Sequence, residues 1–482
     1  MHTIWNSIGG IVLGLSAVWV GAGTLHAHPQ DTQKKDVAQQ VAASAADRDE
    51  RVEWLLANMR DSGATAAVVV ARIAGEEVLA RGFGEIDGRT AAPDMHMPAG
   101  AATELLLAAA VVHAAAAAEV DLTRPISELL PKRNLKGIDV SLHQLLSHTS
   151  GLAQIPKARP QAAAADAKDG ENGAEGKDGA ADGAAPEPDW LGWLREAPRL
   201  ADPDSCFAWT NADPMLAELW LLDTTGLDAR AYARKHLLNR LSIAPAADEG
   251  ADPETWAPLE VHLGRSVHPE THVPEHLAGV GLELTPRDLV GLLGALERRA
   301  ILDETGSERM LEDVRLASGE TTGHGYAHAI TWLDRTPGRA LGGTFRGTSM
   351  RLAHYPTLDL ELAVVVRGGT RSAAAWERAL TRAMLDLQQA ESVDMPLSEE
   401  ERGRFTGDYQ IGCDRLVIVA ADDRLHLRTA RDEIALAYLG GGVFTALDGS
   451  DVRLEFQFDG EGRAVEFLLD TDGRHALARR FE

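Results

Sequence analysis

One short stretch of the chain concentrates side chains that could bind a metal ion. Residues 261–276 contain four histidines and two glutamates: His262, His268, Glu270, His272, Glu275 and His276. On a helix, the four-residue spacing of His268, His272 and His276 would place three imidazoles on one face as metal ligands. Pro269 and Pro274 oppose such a helix, because proline removes a backbone hydrogen bond. We therefore interpret the stretch as a polar surface loop and keep metal-dependent activity there as an alternative. His324 and His328 are weaker candidates.

A long apolar stretch predicts a central helix that positions the rest of the fold. Residues 105–118 are apolar except for His113, and they consist mostly of alanine and leucine, the best helix formers. A helix that is apolar all round is buried, and this one is too short to span a bilayer. Thr103 and Glu104 fall in its first turn, where a hydroxyl can cap and a carboxylate complements the helix dipole. We interpret His113 as a core histidine that is satisfied by a neighbour.

The order of strands and helices predicts an α+β fold. A strand hairpin is expected over residues 65–83 and four further strands over 326–366, with a closing helix at 373–391. Helices lie between, including a short one that ends at Gly151. This pattern favours one antiparallel sheet, built from both ends of the domain, beside a helical lobe. After residue 397, seven short strands alternate with turns, which predicts a small β-barrel.

The amino terminus and a central insert differ from the rest of the chain. Residues 1–27 look like a signal peptide, but Lys34 is the first basic residue, so an uncleaved N-terminal anchor is the alternative. We therefore expect an exported protein, either periplasmic or secreted and possibly membrane-anchored. Residues 28–50 are predicted to be a linker, 51–391 the main domain, and 397–482 the barrel. The segment 157–189 contains no large apolar residue and is predicted to be disordered.

The overall charge excludes some classes of partner. Lys and Arg total 47 against 73 Asp and Glu, which gives a formal net charge of −26. Such an excess argues against nucleic acid or an anionic membrane surface as a partner. Cys206 and Cys413 are the only cysteines, and they form no metal-binding pattern. A disulfide between them is possible.

Several segments, in the right order, resemble one known family. Residues 145–152 (LLSHTSGL) are highly typical of it, and residues 111–131, 226–243 and 279–288 match further segments. Over residues 51–391 the chain resembles the serine beta-lactamase and penicillin-binding-protein-like family, of the class C beta-lactamase and DD-peptidase type. The tail resembles the lipocalin-like barrel that often follows such domains. The resemblance implies a serine hydrolase fold.

The resemblance also implies three catalytic motifs, and this chain departs from all of them. The family places a Ser-x-x-Lys at the start of the central helix, a Tyr-x-Asn on a loop, and a Lys-Thr-Gly or His-x-Gly on a strand. Counting back from Val120-Asp121-Leu122 puts the serine position at Ala101 and the lysine position at Glu104. The other motifs read Trp209-Thr210-Asn211 and Leu341-Gly342-Gly343. No Ser-x-x-Lys occurs anywhere in the chain.

These departures predict a loss of the family reaction. Ala101 carries no nucleophile, and Glu104 reverses the charge that would activate one. The indole of Trp209 donates a hydrogen bond but cannot accept a proton. We therefore expect an inactive homologue with a binding or envelope-associated role. An active esterase, peptidase or beta-lactamase with rewired catalysis is the alternative.

Other residues are interpreted as binding or structural. The expected binding cleft comprises Asn211, Gly342, Gly343 and Thr344, with a peptide- or amide-like small ligand as the partner and no cofactor. Contact with a membrane is expected only through the N-terminal anchor. Ser147, Thr149 and Ser150 are interpreted as residues that pack and cap a helix end.

Overall fold

The computed structural model describes residues 45–155, 190–243, 282–333, 336–345, 347–387, 393–429, 432–448, 452–471 and 474–481. The predicted signal peptide (1–27), the insert (157–189) and the His262–His276 cluster lie outside these residues. The predicted linker (28–50) is described only from Ala45, where the first helix begins.

An eight-stranded antiparallel sheet forms the centre of the main domain, as the sequence predicted. The strand order is β3-β2-β1-β10-β9-β8-β7-β6, so both ends of the domain meet where β1 pairs with β10. The strands are β1 (Ala64–Ile73), β2 (Glu76–Ile86), β3 (Arg89–Thr90), β6 (His324–Gly325), β7 (His328–Leu333), β8 (Thr336–Phe345), β9 (Thr348–Tyr355) and β10 (Leu360–Gly368). Two short strands, β4 (Met97–Pro98) and β5 (Glu283–Leu284), pair separately.

The sheet separates two hydrophobic cores because successive strand residues point to opposite faces. On β1, Val68 and Val70 belong to the core beneath the helical lobe, whereas Val69 faces the other core. The terminal helices α1 (Ala45–Asp61) and α11 (Ala373–Leu385) cover the Val69 face. Both faces are therefore buried.

The central helix α2 (Ala101–Ala117) organises the helical lobe, as predicted. Twelve of its residues are buried, which fits its apolar composition. Gly100 is the N-cap and no side chain caps the helix, so the expected capping hydroxyl is not used. The other helices are α3 (Ile126–Leu129), α4 (Leu142–Leu146), α5 (Trp190–Glu196), α6 (Ala212–Thr225), α7 (Ala229–Tyr232), α8 (Pro286–Leu289), α9 (Leu292–Glu297) and α10 (Glu304–Leu311). The π-helical turn Ala233–Leu237 and the 3-10 turn Leu238–Leu241 continue α7.

The helix expected to end at Gly151 is shorter than predicted. Helix α4 begins at a capping box formed by Ser141 and Gln144 and ends at Leu146. His148 follows with a φ of 54°. A left-handed non-glycine residue cannot continue a helix. The chain therefore turns sharply at His148 before it reaches Gly151.

The carboxy-terminal region is a closed eight-stranded barrel. Its strands follow one another in chain order and β11 pairs with β18: β11 (Gly407–Ile411), β12 (Asp414–Ala421), β13 (Arg424–Arg428), β14 (Glu433–Gly440), β15 (Val443–Ala446), β16 (Val452–Phe458), β17 (Ala464–Thr471) and β18 (Arg474–Arg480). Helix α12 (Glu399–Phe405) precedes them. The prediction of seven strands missed β11. This strand is short and buries only Tyr409, so its alternation signal is weak.

Three kinds of contact join the barrel to the main domain. A disulfide links Cys206 to Cys413, with Cα atoms 5.7 Å apart, so the possible pairing is present. The ring of Trp332 on β7 lies parallel to that of His475 on β18, with centroids 5.7 Å apart. Arg378 of α11 pairs with Asp470 at 3.7 Å. Among the described residues no helix is long and apolar enough to cross a membrane.

Gly151 shows where the local fold tolerates only glycine. Its φ is 66°, and a Cβ there would overlap the carbonyl oxygen of Ala201. Gly226, at the end of α6, has a similar φ of 72° but open space around it. We expect Gly226→Ala to lower the free energy of unfolding by about 1 kcal/mol, from backbone strain alone. Gly151→Ala should cost about 2 kcal/mol, because overlap adds to strain. Urea denaturation of both variants measures the difference in their free energies of unfolding. Equal losses of stability would show that the contact between a Cβ at position 151 and the Ala201 carbonyl oxygen costs nothing.

Candidate active site

The residues that we expect at the family's reacting positions meet in one cleft. Ala101 and Glu104 lie in the first turn of α2, Trp209 on the loop before α6, and Leu341 on β8, and all four line the same cavity. The β6–β7 hairpin and the start of α11 complete its walls. This convergence agrees with the positions at which the sequence analysis placed the three motifs.

A chain of three hydrogen-bonded side chains occupies the inner end of the cleft. His148 Nε2 lies 2.8 Å from Glu104 Oε1, and His148 Nδ1 lies 3.1 Å from Asp213 Oδ2. The indole nitrogen of Trp209 donates to both oxygens of Glu104 at 3.3 Å. Asp213 is fully buried and His148 nearly so. The cleft therefore contains an acid–imidazole–acid chain beside a position that has no nucleophile.

The chain holds a proton on His148. Burial alone lowers the pKa of His148, but the charge of Glu104 and the hydrogen bonds to both carboxylates outweigh burial and raise the pKa to about 10. An imidazolium donates from both ring nitrogens, which matches its position between two carboxylates. Burial raises the pKa of the Asp213 carboxyl, against the opposing hydrogen bond from His148. At neutral pH His148 is a cation and cannot act as a general base.

The residues around His148 have structural contacts, as the sequence predicted. The Ser150 hydroxyl donates to Asp213 Oδ1 at 2.5 Å. The Ser147 hydroxyl donates to the carbonyl oxygen of His143 at 2.7 Å, and the Thr149 hydroxyl donates to Asp204 at 2.8 Å. These bonds hold the turn that projects His148 towards the cleft.

Three of the four residues expected to bind a ligand line the cleft, and the fourth does not. Gly342, Gly343 and Thr344 line the cleft along β8. Asn211 does not: its side chain is buried, its oxygen accepts from the Ile155 N–H at 2.8 Å, and its nitrogen donates to the Ile155 carbonyl at 3.0 Å. The expectation that Asn211 binds a ligand amide is therefore corrected, because both ends of its amide hold the chain at Ile155.

His148 and Asp213 were missed by reasoning from the sequence. They are separated from Glu104 by 44 and 109 residues, so no spacing rule connects them. One signal was available: a glutamate in a buried helix requires a compensating group, and a histidine lies in the well-matched segment 145–152. Only the fold shows that this histidine faces Glu104.

The remaining candidates are histidines outside this hydrogen-bonded chain. His113 bonds to the Tyr232 hydroxyl at 2.8 Å, as expected of a core histidine. His324 and His328 line the cleft. Within the described ranges, no group of three or more His, Cys, Asp and Glu residues is arranged to hold a metal ion.

Comparison with solved structures places the fold among known proteins. SurE bound to D-Leu aligns with a TM-score of 0.51 and 20% identity, over 90% of this chain and 100% of that one. The octameric penicillin-binding protein homologue from Pyrococcus abyssi aligns with a TM-score of 0.54 and 17% identity, over 89% and 99%. D-amino acid amidase from Ochrobactrum anthropi SV3 aligns with a TM-score of 0.53 and 16% identity, over 71% of this chain and 99% of that one. At these identities the similarity establishes the fold.

Sequence comparison identifies the family. No curated protein matches the chain. A beta-lactamase family profile, however, matches residues 48–384, well over half of the 482 residues. Together with the sheet, the helical lobe and the cleft at the start of α2, this match shows that the chain belongs to the beta-lactamase family.

Proposed function

We propose that this protein is a catalytically inactive member of its family that uses the cleft for binding. The observation that carries the proposal is the first turn of α2. Ala101 stands where a nucleophile is needed, and Glu104 is bonded to an imidazolium instead of supplying an activating amine. Without the hydroxyl, no acyl-enzyme forms by the family route, whatever the rest of the cleft provides.

Other serines of the cleft have structural uses that support the proposal. The Ser349 hydroxyl oxygen accepts from the Ala373 N–H at 3.0 Å. The Ser372 hydroxyl oxygen accepts from the Ala375 N–H at 3.1 Å and caps α11. Both therefore help to begin α11. His148, which is bonded to Glu104 in the first turn of α2, is already protonated.

The cleft is a better binding candidate than the interior of the barrel. Aromatic side chains fill that interior: Phe405, Tyr409, Phe444, Phe456 and Phe467 are all buried there. A cavity does open beside this core, lined partly by Leu436 and Phe444, but none of the positions expected to react in the family lies there. We infer that the barrel has a supporting role and that recognition takes place at the cleft.

Export is also part of the proposal. The apolar segment before residue 27 supports it, and so does the Cys206–Cys413 disulfide, because disulfides persist mainly in oxidising compartments. We propose a periplasmic or secreted protein, with an envelope-associated binding role.

Covalent labelling tests whether the cleft is inactive. We expect no stoichiometric labelling of the native protein by a fluorescent fluorophosphonate or a fluorescent penicillin, read by gel fluorescence and intact mass. An active serine beta-lactamase, labelled in the same reaction, is the positive control. One covalent adduct per chain would overturn the proposal. Peptide mapping and the variants Ser349→Ala and Ser372→Ala would then identify a rewired nucleophile.

A further inference from the structure

The cleft presents a carboxylate to solvent. The Glu104 side chain retains 18% of its exposed surface, and its oxygens accept from His148 and Trp209. A carboxylate has about four lone-pair directions, so it can accept further bonds. It lies in the first turn of α2, at the positive end of the helix dipole.

A second acceptor lines the same cleft. His328 is buried, and its Nδ1 lies 3.0 Å from the carbonyl oxygen of Tyr326, so Nδ1 carries the proton and Nε2 is an acceptor. That Nε2 has no partner among the described residues. Burial, reinforced by Arg339, lowers the pKa of His328 to about 4, so the ring is neutral at physiological pH. Because Nε2 is itself fully buried, His328 gives the cleft a neutral ring and adds no competing cation.

The positive charges near the cleft are already engaged. His148 lies between Glu104 and Asp213. Arg351 lines the cavity but is buried, donates to the Thr331 hydroxyl at 3.3 Å, and lies 3.9 Å from Glu377. The strand position that binds an anion in the family is Leu341. An anionic ligand would therefore meet the charge of Glu104 without a compensating cation.

Aromatic rings complete a site suited to a cation. Trp209 and Phe207 line the cleft, and Phe207 stacks on His324 with centroids 4.0 Å apart. Aromatic faces attract an ammonium group, most strongly when water is excluded. The carboxylate, the neutral ring of His328 and the aromatic faces thus all favour a positively charged group.

We propose that the cleft binds a primary ammonium group, held by the carboxylate of Glu104 beside the aromatic rings of Trp209 and Phe207. The ammonium belongs either to a small amine or to the amino terminus of a peptide. The inference rests on the proposed function, since it assigns the ligand class of the same cleft.

Binding to the native protein is the first test. Isothermal titration compares phenethylamine with 3-phenylpropionate and 3-phenylpropanamide, which share the ring and linker but differ in charge. Phenylalanyl-alanine amide, with a free or an acetylated amino terminus, distinguishes a peptide source from a small amine. We expect at least tenfold tighter binding of the amine, or of the free peptide, than of its uncharged counterpart. Equal binding of charged and uncharged probes, tighter binding of the carboxylate, or binding of none would overturn the inference.

A matched pair of variants locates the site. Glu104→Gln keeps the shape and the acceptor for His148 but removes the charge, so it should weaken ammonium binding about tenfold or more. Glu119→Gln, at an exposed position two residues beyond the far end of the same helix, should leave binding unchanged. Unfolding curves show whether each variant is folded, and unaltered binding by folded Glu104→Gln would refute the assignment. Covalent labelling tests the proposed function separately. An adduct would contradict catalytic inactivity, but it would not change a measured preference of the cleft for an ammonium group.

Discussion

Replacing His148 with alanine is expected to lower the free energy of unfolding by about 3–5 kcal/mol, because removing one member of a buried ion pair leaves the other uncompensated. In this protein two carboxylates lose their partner at once: Glu104, at 2.8 Å, and the fully buried Asp213, at 3.1 Å. Urea denaturation at pH 7 measures the loss.

His143→Ala provides the matched control. His143 lies on the same segment, and its ring bonds to the Tyr326 hydroxyl at 2.6 Å. Burial lowers the pKa of His143, so a neutral ring is removed and the expected cost is about 1–2 kcal/mol. A loss for His148→Ala no larger than this would contradict the ionised chain.

The same chain predicts how stability depends on pH. The pKa of His148 is raised from 6.5 to about 10, so the folded state retains a proton that the unfolded state releases. The stabilisation is complete below pH 6.5 and is lost as pH rises through 10. The difference between the native protein and His148→Ala should therefore shrink steadily between these values. A constant difference over that range would show that His148 does not titrate within it.

Removing the Cys206–Cys413 disulfide is expected to lower the free energy of unfolding by about 2–5 kcal/mol. The bond spans a sequence separation of 207 residues, so its loss frees a long loop in the unfolded chain. It also joins the barrel to the loop that carries Trp209. Cys206→Ser combined with Cys413→Ser should shift the midpoint of urea unfolding to lower concentration.

Reduction provides the control for this double variant. A reducing agent should shift the native protein to the same midpoint and leave the double variant where it is. If reduction and the double substitution both left the native midpoint unchanged, the disulfide would not contribute to stability. If only the double variant shifted, the serine side chains would be the cause.

The sequence by itself determined the elements and their class. The apolar alanine–leucine run predicts α2, strand patterns at both ends predict the sheet, and short strands with turns predict the barrel, since these signals depend on neighbouring residues. The sequence also predicts that Ala101 and Glu104 stand at the family's serine and lysine positions, because the short stretch from α2 to Asp121 leaves no gap in which the register could shift. The missed strand β11 and the overextended helix before Gly151 depend on weak or non-local signals.

Only the tertiary structure decided how the cleft is built. Glu104, His148 and Asp213 come from distant segments, and the sharp turn at His148 directs its ring between the two carboxylates. Asn211, placed in the cleft by its motif, instead bonds to Ile155. Side-chain directions at a cleft depend on packing between elements, which spacing along the chain does not encode.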